Sequence, residues 1–312
     1  MLKSSFKYIS LLAASLLLSM TTVVLGALPM RVMRRLHGRL PYWIGFTLSS
    51  AALAAAGLSA YGLLVFAMAV AVGIYTEIEE HGGSVFTSAA VAILAAMGTT
   101  SLGVGAWVYR LNGHLLEEAR NQVAPLVERL SAMNAGATVS VESLIQQLPS
   151  GVMIGFMIAL AIAVIGEARV MSWFSHQKLD EKTEILGDSD RVVVREDGET
   201  KLSDFRVPDS LTWLVILAIF GSFFQHGIEF VEAVSLNILN VLIVVYFFQG
   251  LAVVSQVFRV YKISPFWQSL WYIVLVLQLF IVVSFLGLAD YWLEFRERLA
   301  RKTTETNKNF LK

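Results

Sequence analysis

The chain has 312 residues, of which 56% are hydrophobic and 15% charged, with 24 basic against 24 acidic side chains. A soluble domain carries about 25% charged residues, so this composition belongs to a chain solvated by lipid. The even charge balance supplies no basic surface for nucleic acid, and with no cysteine there are no disulfides, iron–sulfur clusters, thiolate zinc sites or thiol catalysis.

Residues 1–27 carry Lys3 and Lys7 and then an apolar run from Ile9 to Leu25. A signal peptide reads this way, with Val24 and Gly26 as small-residue cleavage positions, but the run outlasts the usual signal core of about 7–15 residues. Retention as a first transmembrane helix is the expectation. Met30 to Pro41 follows, with Arg31, Arg34 and Arg35 on one helical face and Arg39 close by. These arginines suit a basic segment facing anionic lipid, at about 1 kcal/mol each near the surface, or a plain topogenic loop.

Tyr42 to Tyr75 is apolar and rich in Ala and Gly. It is too long for one untilted crossing and short for two. A break at Gly57-Leu58-Ser59 would give two short helices packed through small residues; a single kinked crossing is the alternative. The polar turn Glu77-Ile-Glu-Glu-His81 has donors a metal could use and is also what a solvated membrane end looks like. Ser84 to Val108 is the next crossing, so the N-terminal helices occupy 1–111.

Residues 112–149 leave the membrane. Leu115, Leu116, Ala119, Val123, Leu126, Val127, Leu130 and Met133 recur at helical spacing between charged residues. The pattern predicts an amphipathic surface helix, bent at Pro125, and then a short helix over Val141–Leu148. A crossing over 150–174 follows, with Gly151, Gly155, Ala159 and Ala163 as a small-residue ladder. Glu167 stands near its end; an ionisable group at membrane depth is a functional candidate, here for coupling or as a latch. The linker at 175–208 contains Asp197-Gly198, which suits a tight β-hairpin turn.

Crossings at Leu211–Phe224, Val234–Phe258 and Phe266–Ala289 fill most of the C-terminal membrane region, 209–295. The expected fold class is an all-α polytopic transmembrane bundle of seven or eight crossings. A basic tail at 296–312, with Arg296, Arg298, Arg301 and Lys302, predicts a cytoplasmic C-terminus.

The phosphate-binding G-x-x-x-x-G-K-[ST], the H-E-x-x-H pair and the G-x-S-x-G elbow are all missing. No catalytic residue, metal ligand or cofactor is assigned, and a non-enzymatic protein is expected. Asn237 and Asn240 share one helical face, and Gln249 lies on another. They would line a small-molecule pocket, or bond helix to helix at about 0.6 kcal/mol each. Asp290, at a helix end, is expected to pair with Arg296 as a latch or a coupling site.

The last third resembles the YybS-like family of multi-pass bacterial membrane proteins (DUF2232). The matching residues are Phe205 with Pro208, Asn237 with Leu239-Asn240, Gln249-Gly250, and Gly287-x-x-Asp290 leading to Phe295-Arg296. The resemblance implies the bacterial cytoplasmic membrane. It also implies a distant likeness to the substrate-binding components of energy-coupling-factor transporters and to MreD-type scaffold proteins.

Binding or transport of a small molecule is therefore the leading expectation, and a scaffold recruiting envelope or cytoplasmic partners the alternative. Membrane lipids, a small molecule, and a membrane-protein partner or second copy are the expected partners. A ligand binder predicts a closed pocket lined by Asn237, Asn240 and Gln249; a scaffold predicts those groups paired within the protein. An enzyme would bring Glu77, Glu79, Glu80 and His81 near Glu167.

Overall fold

Apolar runs in lipid fold as helices because each backbone group must then find its partner within its own segment. The computed structural model describes residues 2–110, 117, 120, 121, 123–125, 127–129, 140–183, 205–223, 228–296, 298 and 299. Every extended element among them is helical: α1 Leu2–Thr21, α2 Ala27–His37, α3 Arg39–Ala55, α4 Ser59–Glu80 and α5 Val85–Arg110. There follow α6 Val141–Thr183, α7 Ser210–Phe223, α8 Glu229–Val260, α9 Pro265–Leu277 and α10 Phe280–Leu293. The expected hairpin at 191–202 lies outside the described residues. The described positions between 117 and 129 are helical, in keeping with the amphipathic pattern.

Among the described residues, four helices are long and apolar enough to cross a membrane: α4, α5, α6 over Val141–Glu167, and α8. The pair α9–α10 adds a fifth if it is one span bent by 99°. This is fewer than the expected seven or eight. The apolar part of α1 is confined to Phe6–Thr21 and α7 has 14 residues, both short of the roughly 20 that a bilayer core requires.

Helix ends follow backbone chemistry. The break between α3 and α4 falls at Gly57, whose φ of 83° is left-handed and open to glycine. Gly57 N–H then bonds the Ala54 carbonyl at 3.2 Å and Leu58 N–H the Leu53 carbonyl at 2.9 Å, closing the last turn of α3. The same pair of bonds closes α8 around Lys262, a non-glycine residue at φ 50°.

The expected short helix at Val141–Leu148 and the crossing after it are instead one helix, α6, with Pro149 in its interior. A mid-helix proline removes a backbone donor and costs about 3 kcal/mol.

The chain forms two compact units, Met1–Ile145 with Gly151–Thr200, and Gln146–Ser150 with Lys201–Lys312. In the first, α4 packs against α2, α3 and α5. Ala67, Met68, Ala69, Ala71 and Val72 are buried there, and the Tyr42 hydroxyl donates to the Ala69 carbonyl at 2.7 Å. In the second, α8 is flanked by α7 and α10. Tyr246 and Thr212 share a hydroxyl–hydroxyl bond of 3.0 Å, and Phe247, Leu251 and Val283 form an apolar core.

Candidate functional site

In the second unit, α8 and α10 meet backbone to backbone at Gly250 and Gly287. A Cβ on Gly250 would collide with the Val283 carbonyl oxygen, and one on Gly287 with the Tyr246 carbonyl oxygen. This close approach sets Gln249 opposite Asp290. Gln249 Nε2 reaches Asp290 Oδ2 at 3.5 Å, and Gln249 Oε1 accepts from Val207 N–H at 3.1 Å. Asp290 Oδ2 also accepts from Arg296 Nε at 2.9 Å, and Arg296 Nη1 donates to the Phe205 carbonyl at 2.8 Å.

The result is a buried clamp. Gln249 is 4% exposed and Asp290 7%. The clamp holds the segment ahead of α7 by one carbonyl and one amide two residues apart. Phe205, Gln249-Gly250, Gly287, Asp290 and Arg296, which carry the family resemblance, thus converge in space. Asp290 sits at the C-terminal end of α10, where the helix dipole disfavours a carboxylate, and the Arg296 guanidinium offsets that.

The other two amides of interest lie elsewhere in this unit. Asn237 Nδ2 donates to the Gln146 carbonyl at 2.8 Å and to the Ala233 carbonyl at 2.7 Å, while its Oδ1 accepts from Ser150 N–H at 2.9 Å. Asn240 Nδ2 reaches Gln147 Oε1 at 3.4 Å and Ser150 Oγ at 3.5 Å. Asn237 and Asn240 therefore face the Gln146–Ser150 turn, whereas Gln249 belongs to the clamp.

The first unit contains a second polar cluster. Arg31 bonds Glu167 Oε2 through Nε and Glu79 through Nη2, at 2.8 Å to Oε2. Arg35 bridges the same two carboxylates, with Nε 3.0 Å from Glu167 Oε1 and Nη2 on Glu79 Oε2. Arg34 reaches Glu80 Oε2 at 3.2 Å, and Arg39 reaches Glu77 Oε1 at 3.0 Å. Trp43 Nε1 donates to Glu77 Oε1 at 3.1 Å, and the Arg31 guanidinium lies 4.8 Å from the centre of the Tyr75 ring.

The expectation that Arg31, Arg34, Arg35 and Arg39 face lipid is corrected for Arg31 and Arg34. Arg31 is 1% exposed and Arg34 5%, both turned inward against glutamates. In lipid an unpaired charge is costly, so the charged face of α2 turns toward carboxylates. Arg39 alone of the four is mostly exposed, at 67% of its side chain. The carboxylates of Glu77, Glu79 and Glu80 point to arginines as well, and Glu79 and Glu167 are gathered on the same two cations.

Sequence reasoning missed this ion-pair cluster and the role of Val207 and Phe205 as backbone partners. One signal was available: the arginines at 31, 34, 35 and 39 are matched in number by glutamates at 77, 79, 80 and 167, all beside apolar runs.

Apolar helices of spanning length, with charges and amides engaged inside each unit, define a polytopic helical membrane protein. The chain belongs to the family described as predicted membrane protein (DUF2232), whose model matches residues 8–291. No curated protein and no solved structure matches it.

Proposed function

We propose that this chain is a non-catalytic scaffold of the bacterial cytoplasmic membrane. Its helices form a frame, and its polar stretches at 112–139 and 175–204 engage envelope or cytoplasmic partners. The observation that carries this reading is the internal use of the amides. Both ends of the Asn237 and Gln249 carboxamides are bonded to the protein itself. An amide that grips a guest keeps a donor or acceptor turned toward it. Buried groups spent on the chain's own backbone serve rigidity.

A second reading, small-molecule binding in the manner of a transporter substrate-binding component, rests on Asn240, whose two contacts are long, 3.4 and 3.5 Å. We also take the apolar helices Phe6–Thr21 and Ser210–Phe223 as crossings. The bilayer would thin around them, at a fraction of a kcal/mol per Å.

Two measurements on the full chain, one in cells and one in native-lipid nanodiscs, separate the readings. In-cell cross-linking is expected to capture a defined partner from the intact chain and lose it on deletion of residues 112–133. Thermal unfolding against a metabolite panel is expected to show no stabilisation. A metabolite that raises Tm by several degrees, with the effect abolished by Asn240→Ala, would replace the scaffold with the binder.

A further inference from the structure

Pro149 lies inside α6 and has no N–H to give the Ile145 carbonyl. In an undisturbed helix the next amide, that of Ser150, would bond the Gln146 carbonyl four residues back. Both of those groups meet the Asn237 carboxamide: the Gln146 carbonyl accepts from Nδ2 at 2.8 Å, and the Ser150 N–H donates to Oδ1 at 2.9 Å. A carboxamide carries the same donor and acceptor as a peptide group. The Asn237 side chain is therefore inserted into the α6 ladder as an extra peptide unit, at the turn that proline weakens.

From this geometry we propose that the Pro149 turn is a hinge in α6 and that Asn237 is its latch. The latch is anchored on its own helix, because Nδ2 also donates to the Ala233 carbonyl at 2.7 Å. It is seconded by Asn240, one turn further along α8, which reaches Gln147 Oε1 and Ser150 Oγ. Ser150 is itself buried, at 3% exposure, and its Oγ returns to the Gln147 carbonyl at 2.9 Å.

With Asn237 engaged, α6 runs unbroken through Pro149. With Asn237 withdrawn, the Gln146 carbonyl and the Ser150 amide lose the group that joins them, and the helix opens there. The stretch 112–139 precedes α6 in the chain, and opening changes the direction in which α6 continues past Pro149 from its first turns. The hinge stands whether or not that stretch recruits a partner.

The chain has no cysteine, so spin labels can be placed at will. With Ser143→Cys and Ile158→Cys labelled in the full chain in nanodiscs, a continuous helix gives one narrow distance distribution, about 22 Å along the axis. In the Asn237→Ala background the distribution is expected to broaden and shorten. Amide exchange over 145–151 is expected to speed up by about tenfold or more, as for loss of the two bonds Asn237 makes to this turn.

Adding Pro149→Ala restores the missing donor and is expected to return both readouts to the starting values. Asn237→Ser keeps one short hydroxyl and adds no charge, so it is an uncharged, milder variant should the alanine form fail to fold. An unchanged distribution in Asn237→Ala overturns the hinge. So does broadening that persists when Pro149 is replaced, since Asn237 would then act through packing alone.

Discussion

Arg31 places two edges of its guanidinium on two glutamates from different helices, and its side chain is 1% exposed. A buried pair contributes little net stability compared with apolar packing, but stripping one partner leaves the other charged and unpaired. Arg31→Met is therefore expected to cost about 3 kcal/mol, read as a shift in unfolding by denaturing detergent. Arg35 still faces Glu79 and Glu167, so Glu167→Gln should shrink the cost of losing Arg31; equal costs in both backgrounds would mean that the two residues act independently. The arginines at 31, 34 and 35 were legible in the sequence as one helical face. The direction of that face was not, because Glu79 lies 48 positions away and Glu167 136. Lipid reverses the habit learned from soluble proteins: here the charged face is the inner one.

Among the helices, the seam of α8 with α10 depends most on residue size. The added methyl of Gly287→Ala would strike the Tyr246 carbonyl and the Gly250 amide, neither of which can rotate away. Overpacking of this kind costs about 1–3 kcal/mol, and the helices must part to relieve it. Because Gln249 and Asp290 sit at the same crossing, Gly287→Ala should also loosen the Phe205–Val207 segment. Faster amide exchange at Val207, together with a lower Tm, is the expected signature. A lower Tm with unchanged exchange at Val207 would uncouple the clamp from the seam. Gly250 and Gly287 could be noted in the sequence, but each reads equally as lipid-facing until the partner helix is known. Pro149 misled in a similar way. The sequence places the crossing from 150 onward, whereas α6 runs through Pro149 with the Asn237 carboxamide of α8 bonded on both sides of it.

For the molecule as a whole, orientation follows from charge. The residues after α10 include Arg298, Arg301 and Lys302, and the tendency of basic segments beside a crossing to remain inside predicts a cytoplasmic C-terminus. A single cysteine at Phe310 in this cysteine-free chain should resist a membrane-impermeant thiol reagent in intact cells and react once they are permeabilised. Labelling of intact cells would reverse the topology.

Sequence alone determined the class of this protein: helices in lipid, with breaks at glycine such as Gly57, because apolar run length and left-handed backbone are local properties. Tertiary structure decided where the polar groups go. Pairing Arg31 with Glu167, Gln249 with Asp290 and Asn237 with the α6 ladder joins residues 41 to 136 positions apart. A buried donor or charge carries no mark of its partner until the chain has folded around it.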